Sequence, residues 1–249
     1  MITIYALLSV FLVSLISFIG ALAISINAER LKKILLYLVS FSAGALFGDV
    51  FIHLLPEIAR ERGLGRMASF YILLGIIFLF IVEKIIHWRH CHHGDCEEGH
   101  LHPFVLTNLF GDSIHNFIDG LIIGASYLIS IPIGIATTLA VILHEIPQEI
   151  GDFGVLLHGG FTKAKALLVN FATALLAVAG AIVALALNSY TENLTFFLIP
   201  FAAGNFIYIA GSDLIPELHK EKIQTSQSLL QLLAFMAGIG IMMFLLIFG

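Results

Sequence analysis

Charged residues are scarce in this chain of 249 residues, where Asp, Glu, Lys and Arg make up 12% and hydrophobic residues 59%. Soluble domains carry roughly 25% charged and about 45–50% apolar residues. A soluble α/β enzyme is therefore excluded, and the composition indicates a polytopic membrane protein built of helices. The two cysteines both fall within residues 91–96, so no disulfide framework is predicted. The absence of a Gly-Lys-Ser/Thr loop excludes a P-loop ATPase.

Most of the chain consists of long apolar stretches. The first run, residues 1–26, lacks a basic start and exceeds the usual signal-peptide core of roughly 7–15 residues, so we interpret it as a membrane helix. A bilayer core needs about 20 mostly apolar residues per helix. This criterion predicts eight segments: 2–26, 34–57, 68–87, 103–128, 131–158, 164–188, 194–217 and 228–248. With short connections throughout, residues 1–249 are predicted to form one all-α transmembrane domain.

Basic residues predict the orientation of these segments. With the N-terminus outside, nine basic residues lie inside: Arg30, Lys32, Lys33, Lys84, Arg89, Lys163, Lys165, Lys220 and Lys222. Three lie outside: Arg60, Arg62 and Arg66. Because cytoplasmic loops are enriched in Lys and Arg, we predict both termini outside.

An internal repeat relates the second and seventh segments. "FSAGALFGDVFIHLLPEI" at 41–58 aligns without gaps with "FAAGNFIYIAGSDLIPEL" at 201–218, an offset of 160 residues that sets His53 opposite Asp213. The predicted topology runs these segments in opposite directions. We therefore predict an inverted repeat of segments 1–3 and 6–8 flanking segments 4 and 5, as in many secondary transporters. Chance matching of two apolar helices is the alternative.

The stretch "HEIPQEIGD" places polar side chains in the middle of the apolar fifth segment. These are His144, Glu145, Gln148, Glu149 and Asp152, which fall within an arc of about 140° on a helix. A carboxylate at a helix centre costs roughly 2.5–3.5 kcal/mol on insertion scales. The stripe must therefore face other helices, water or a cation rather than lipid.

The fourth segment carries a matching stripe in "NLFGDSIHNFIDG". Its polar residues, within an arc of about 100°, are Asn108, Asp112, His115, Asn116 and Asp119. A short connection makes the two segments antiparallel neighbours, so His115 and His144 should meet at similar depth. Imidazole, carboxylate and amide groups that converge there indicate a divalent transition-metal site. A structural polar network or a proton relay without metal is the alternative.

Pro147 lies inside the fifth segment and cannot donate an amide hydrogen, so the carbonyl of Leu143 loses its helical partner and the helix tends to kink. In a membrane, such a carbonyl is tolerated where it is buried or lines a wet cavity.

Three stretches resemble the ZIP (Zrt- and Irt-like) family of zinc and iron transporters. "HNFIDG" at 115–120 is similar to its fourth-helix signature, "HEIPQEIGD" at 144–152 to its fifth, and "GDVFIHLLPE" at 48–57 to a second-helix pattern of its histidine-rich branch. The resemblance implies a homodimer that moves metal inward as one helix bundle moves against another. It also implies that the transported ion is Zn²⁺, with Fe²⁺, Mn²⁺, Cd²⁺ and Co²⁺ as further candidates.

The resemblance further implies a metal site between helices four and five, in some relatives with two adjacent ions. Its ligands here would be His115, Asn116, Asp119, His144, Glu145 and Gln148. Glu149, Asp112 and Asp152 extend this predicted metal-binding set. Position 148, where relatives carry a His or Glu that can bridge two ions, is Gln here, which weakens the case for a second ion. Some relatives add a sixth-helix Glu, for which Asn170 is the nearest polar candidate.

Further polar residues predict a transport path on either side of this site. Asp49 and His53 lie on the outer half of the second segment, and Asp213 and Glu217 lie near the inner end of the seventh. We hypothesise that His53 and Asp213 act at the two mouths. For Glu57 and Glu217, a simple helix end near lipid headgroups is the alternative.

The predicted cytoplasmic loop, 88–102, is rich in imidazole and thiol groups. They belong to His90, Cys91, His92, His93, Cys96, His100 and His102. Their spacing fits no closed zinc finger, so we predict weak, transient metal binding.

Two other classes of protein compete with this interpretation. "HEIPQ" is similar to the H-E-x-x-H motif of metalloproteases, but the second His is Gln and Pro interrupts the motif. An intramembrane aspartyl protease has no support beyond the aspartates in the apolar segments of this chain. A metal exporter of another family would need the same ligands. A non-ATP-driven importer in a prokaryotic inner membrane, with no nucleic-acid partner, is therefore the prediction.

Overall fold

The computed structural model describes residues 1–23, 28–90, 103–188, 194–219 and 225–248. Within these ranges the chain forms eight long helices and no strand. The helices are α1 (Ile2–Leu15, Ile16–Phe18 and Ile19–Ala23), α2 (Ala28–Gly48, Asp49–Leu54 and Leu55–Arg62), α3 (Arg66–His90), α4 (Pro103–Ile129), α5 (Ile131–His158), α6 (Lys163–Ala174 and Leu176–Asn188), α7 (Leu194–Tyr208, Ile209–Leu214 and Ile215–His219) and α8 (Thr225–Leu245 and Leu246–Phe248). Each predicted segment coincides with one of them, although α2 and α3 are longer than predicted at both ends.

Seven of the helices contain a stretch that is long and apolar enough to cross a bilayer, as judged over the described residues. The other is α4, which has ample length at 27 residues but carries two aspartates and several other polar side chains. It packs along α5 and α6, so its polar stripe is covered by protein. Helices also pair their own backbone groups, as lipid requires. The predicted all-α polytopic membrane fold is confirmed.

The helices pack in two groups. The first bundle consists of α1, α4, α5 and α6, in which α4 packs along α6 and contacts both α1 and α5. The second bundle consists of α2, α3, α7 and α8, in which α2 packs along α8 and α3 along α7. The bundles meet where α5 contacts α2 and where α4 contacts α7. The two polar helices therefore lie at the boundary between the bundles.

The internal repeat has a structural counterpart in two π-helical segments. Asp49–Leu54 in α2 and Ile209–Leu214 in α7 each have the wider π-helical turn, and they are separated by the repeat offset of 160 residues. Each precedes a proline, Pro56 or Pro216, which cannot donate to the carbonyl four residues earlier. Single π-helical turns of this kind are frequent at functional sites.

Close contacts between helix backbones follow the same repeat. Gly44 of α2 and Gly238 of α8 each lie against a carbonyl oxygen of the other helix, so that a Cβ at either position would collide with it. Gly204 of α7 and Gly75 of α3 make the equivalent contact. Because Gly44 and Gly204 are separated by the same offset, the repeat extends from sequence to packing. Small residues that let backbones approach are typical of membrane helix interfaces.

Replacing Gly238 with Ala should destabilise the second bundle, because its methyl group would collide with the carbonyl of Phe41. Overpacking of this kind costs roughly 1–3 kcal/mol. We expect a lower midpoint of thermal unfolding in detergent. Gly240→Ala is the matched control, since a Cβ at Gly240, two residues along the same helix, meets nothing within 4 Å. Equal midpoints for the two variants would contradict the close approach.

Candidate metal centre

Helices α4 and α5 are joined by Ser130 alone. α4 ends at Ile129, α5 begins at Ile131, and the Ser130 hydroxyl caps α5 by accepting a hydrogen bond from the amide of Ile133 at 3.3 Å. Pro132 in the first turn suits a helix start, where its missing amide hydrogen has no helical partner. The tight connection holds the two polar stripes face to face, as the sequence predicts.

The two central histidines are in contact. Nε2 of His115 lies 3.2 Å from Nε2 of His144, which lies 3.1 Å from Oδ2 of Asp119. Oε1 of Glu145 lies 3.4 Å from Nε2 of His115 and 3.6 Å from Nε2 of His144. One donor atom from each of these four residues lies within 4.8 Å of all the others. We call this group the central cluster.

These spacings match the separation of ligands around one tetrahedral ion. Zinc binds imidazole nitrogen at about 2.0–2.1 Å and carboxylate oxygen at about 2.0–2.2 Å, so two tetrahedral ligands lie about 3.3–3.5 Å apart. The distances above span this range, and Oδ2 of Asp119 lies 3.7 Å from Nε2 of His115. Two nitrogens and two oxygens are also a donor set that zinc accepts.

A hydrogen bond orients the ring of His144. Its Nδ1 lies 3.2 Å from the carbonyl oxygen of Ala140, one turn earlier in α5. This contact suits the tautomer with the proton on Nδ1, which would leave Nε2, facing Asp119 and His115, to bind a metal. Metal-binding histidines are commonly fixed in this way by a carbonyl on the far nitrogen. Phe206 of α7 makes an edge-to-face contact with the ring, with centroids 6.0 Å apart.

The central cluster is buried but incompletely paired. Asp119, His144 and Glu145 are each 1% exposed, whereas the side chain of His115 is 16% exposed. Neither carboxylate oxygen of Glu145 makes a hydrogen bond within the described part of the chain. A buried charged group without full pairing is costly, which makes such groups in membrane proteins candidates for function.

Three further carboxylates of the predicted metal-binding set, those of Asp112, Glu149 and Asp152, each accept a hydrogen bond from an amide side chain. Asn116 donates from Nδ2 to Oδ1 of Asp112 at 2.7 Å, and its buried Oδ1 has no hydrogen-bond partner in the described residues. Asp152 accepts from Nδ2 of Asn108 at 2.8 Å. These carboxylates lie outside the four-residue group.

The sixth-helix candidate Asn170 lies against Glu149. Its buried amide donates to Oε2 of Glu149 and lies 3.4 Å from the backbone carbonyl of the same residue. The carboxylate of Glu149 on α5 is therefore held by an amide of α6, within the first bundle.

A cavity of ≈ 220 Å³ leads from the central cluster towards the ends of the helices that flank residues 91–102, the predicted cytoplasmic side. Its polar lining comes from four helices and comprises Glu83, Asn108, Asp112, His115, Gln148, Asp152, Tyr208 and Asp213. Gln148 thus lines the space next to His115, and Asp213 lies at the predicted inner mouth. Glu217 lies on Ile215–His219, but its side chain is not described.

A separate cavity of ≈ 400 Å³ lies at the opposite, predicted outer, ends of the helices and is lined in part by His53 and Glu57. Asp49 is buried behind it, with Oδ1 3.4 Å from Nδ1 of His53 and Oδ2 3.1 Å from the hydroxyl of Thr137 on α5. Glu57 accepts a hydrogen bond from Arg60 at 2.7 Å. The predicted outer-mouth residues are therefore adjacent.

Most of the predicted loop ligands lie outside the described residues. This holds for Cys91, His92, His93, Cys96, His100 and His102, whereas His90 is the last residue of α3.

Sequence reasoning missed Glu83 and Tyr208. The hydroxyl of Tyr208 donates to Glu83, and both line the inner cavity. Glu83 is next to Lys84 near the end of an apolar run, a position where a charge is ordinarily read as a headgroup contact. The internal repeat did not point to Tyr208 either, because the residue that the repeat aligns with it, Gly48, is not polar.

The fold and the central cluster define a polytopic membrane protein with a buried group of side chains that could hold a divalent metal ion. The family profile described as ZIP Zinc transporter matches residues 1–103 and 89–246. The chain therefore belongs to the ZIP family of zinc transporters.

Named relatives agree with this assignment. The chain is 36% identical to zinc transporter ZIP13 of Pongo abelii over 236 residues, covering 89% of this chain and 69% of the relative. It is 31% identical to zinc transporter zipt-7.1 of Caenorhabditis briggsae, covering 82% and 69%, and 32% identical to zinc transporter ZIP13 of Danio rerio, covering 89% and 78%.

The protein is thus a secondary zinc transporter and not an enzyme, as the sequence predicts. The protease and the exporter of another family are not favoured. Transported zinc fits the donor atoms of the central cluster.

We expect zinc to raise the thermal stability of the purified protein and Glu145→Gln to abolish that rise, because one candidate ligand group becomes a neutral amide. Without zinc, the variant should be at least as stable as the intact chain, since a buried carboxylate that makes no hydrogen bond is replaced by a neutral amide. The measurement is the unfolding midpoint in detergent with zinc or with a chelator.

Glu149→Gln is the matched control. Glu149 lies one turn further along α5, is equally buried, and is already paired with Asn170. This variant should keep its response to zinc. An unchanged response in Glu145→Gln would remove Glu145 from the centre.

Proposed function

We propose that the chain moves Zn²⁺ into the cytoplasm through the central cluster between α4 and α5. The observation that carries this proposal is the convergence of four donor atoms, from His115, Asp119, His144 and Glu145, within 4.8 Å of one another. They come from two helices that meet at the boundary between the bundles. A site at this boundary can be exposed to either side when the bundles move.

Charge balance supports a dication at this position. Asp119 and Glu145 together carry two negative charges when ionised, and both are buried. A divalent cation neutralises them at once, which offsets the desolvation that buried carboxylates otherwise suffer. The neutral imidazoles add ligands without adding charge, so a monovalent cation would leave the site incompletely balanced.

The cavity supports release on the cytoplasmic side. Asp112, Asp152 and Asp213 line it in addition to His115, and carboxylates in a narrow cavity attract a cation that leaves the cluster. Its position, at the ends of the helices that flank residues 91–102, is cytoplasmic under the predicted topology. Asp213 acts in this proposal at the inner mouth.

On the outer side, Asp49 and His53 receive the ion. The two side chains are buried and adjacent, and His53 lines the outer cavity. The hydrogen bond between Thr137 and Asp49 joins α5 to α2 here. Movement of the first bundle against the second would break this contact and connect the outer cavity with the centre.

One tightly bound ion per chain is the stoichiometry we propose. Gln148 is a neutral amide, Glu149 is held by Asn170, and Asp152 is held by Asn108. A second ion beside the cluster would therefore have to compete with these amide hydrogen bonds for its ligands. The donor set also suits Fe²⁺, Mn²⁺, Co²⁺ and Cd²⁺, which we propose as weaker alternatives to Zn²⁺.

The homodimer, the surrounding lipid and the metal-binding role of residues 88–102 are further parts of the proposal, and they rest on the family resemblance and on composition. The protein is integral to a membrane. A prokaryotic inner membrane is proposed from the compactness of the chain alone. The relatives named above are animal proteins, which lend it no support.

Zinc uptake into proteoliposomes should fall at least about tenfold when His115 or His144 is replaced by Ala, because each change removes one ligand. His219→Ala is the control, since this imidazole is exposed at the end of α7 and lies outside the cluster. Uptake by either cluster variant at the rate of His219→Ala would reject the centre.

Replacing Asp213 with Ala should lower the maximal rate of uptake by roughly three- to tenfold, because the inner mouth loses a charge that draws the ion out of the cavity. The zinc concentration for half-maximal uptake should change little, since the outer side is untouched. Ser212→Ala, at the exposed neighbouring residue, is the control. Unchanged uptake kinetics in Asp213→Ala would reject its assignment.

A further inference from the structure

Pro147 lies in the interior of α5 and leaves the carbonyl of Leu143 without its usual partner. This carbonyl belongs to the residue directly before His144 and Glu145, two members of the central cluster. Its surroundings therefore bear on how the two ligands are held.

Ser42 of α2 supplies the missing hydrogen bond. Its side chain is fully buried, and its hydroxyl is within hydrogen-bond distance of the carbonyl of Leu143. The same hydroxyl lies 2.7 Å from the carbonyl of Leu38, one turn earlier in its own helix.

A serine hydroxyl has one hydrogen and can donate to one of these carbonyls at a time. The carbonyl of Leu38 is inside a regular part of α2, where the backbone amide four residues later serves it. The carbonyl of Leu143 faces a proline at that position. An unpaired buried carbonyl is costly, so Leu143 is the acceptor that gains most.

We propose that Ser42 is a positioning residue for the metal centre. By satisfying the carbonyl that Pro147 leaves free, its hydroxyl fixes the part of α5 that carries His144 and Glu145 against α2 of the second bundle. The proposal rests on the proposed zinc site. When the bundles move apart at this contact, the hydroxyl has Leu38 as a second acceptor, and the ligands lose this support.

The ordinary role of a buried helical serine is illustrated by Ser40. It is equally buried, two residues away in α2, and its hydroxyl donates to the carbonyl of Leu36 in its own helix at 3.0 Å. Serines often bond in this way to the preceding turn. Ser42 differs from it by the additional acceptor on another helix, so the two serines form a matched pair for an experiment.

The experiment measures zinc affinity by calorimetric titration of the purified full-length protein in detergent. The variants are Ser42→Ala, Pro147→Ala, the double variant and Ser40→Ala. We expect Ser42→Ala to weaken zinc binding by roughly three- to tenfold, because the Leu143 carbonyl loses its partner. In the Pro147→Ala background the same change should cost less than about twofold, because the new amide at position 147 serves that carbonyl.

Ser40→Ala should leave the affinity unchanged and should lower thermal stability less than Ser42→Ala does, because the carbonyl of Leu36 keeps its helical amide partner. An equal loss of affinity for Ser42→Ala in both backgrounds, or an equal loss for Ser40→Ala, would overturn the proposal. Should Pro147→Ala not bind zinc, the pair Ser42→Thr and Ser42→Val decides, since the two side chains have similar shape and Thr alone keeps the hydroxyl. Equal affinities for that pair would also overturn it.

His144→Ala separates this proposal from the one on which it depends. If that variant still binds zinc as the intact chain does, the central cluster is not the site. If it loses binding while the effects of Ser42→Ala and Pro147→Ala are independent, the cluster stands and the role of Ser42 fails.

Discussion

The cost of burying ionisable groups among apolar helices constrains the whole arrangement. Asp119, His144 and Glu145 are almost fully buried, although lipid-facing positions were available on the same helices. Such groups must face protein, and they are best stabilised when opposite charges or hydrogen-bond donors meet them. The single-residue connection at Ser130 brings the two polar stripes to equal depth, and the other helices cover them. The central cluster follows from this constraint as much as from any preference for metal.

Close backbone contacts distinguish the interior of the second bundle from its boundary with the first. Within the second bundle, glycines such as Gly44 and Gly204 let helix backbones touch, and any added atom would collide. Helices packed this closely resist sliding along one another. Between the bundles, Ser42 and Asp49 of α2 make side-chain hydrogen bonds to α5. Such bonds can be exchanged for others at modest cost, so the boundary is the natural place for movement.

The sequence predicted the helices and the stripes well, because both depend on local periodicity. The contact between His115 and His144 could be predicted, because residue spacing alone gives their helical phases and depths. The contacts of Ser42 and Glu83 could not be read in this way, since each depends on which distant helix lies opposite. Likewise, the π-helical turn at Asp49–Leu54 shifts the phase of α2 in a way that a regular helix does not predict.

Matching positions on α4 and α5 lie in different environments on the two sides of the central cluster. Thr137 lies seven residues before His144, and Asn108 lies seven residues before His115. On the outer side, Thr137 makes a hydrogen bond across the bundle boundary to Asp49. On the inner side, Asn108 makes a hydrogen bond within its own bundle to Asp152, and both residues line the inner cavity. The contact on the outer side therefore joins the two bundles, whereas the contact on the inner side lies within one of them. A path from the outer cavity to the centre would have to break the contact between Thr137 and Asp49, and movement of one bundle against the other, which inverted repeats support in alternating access, would do so.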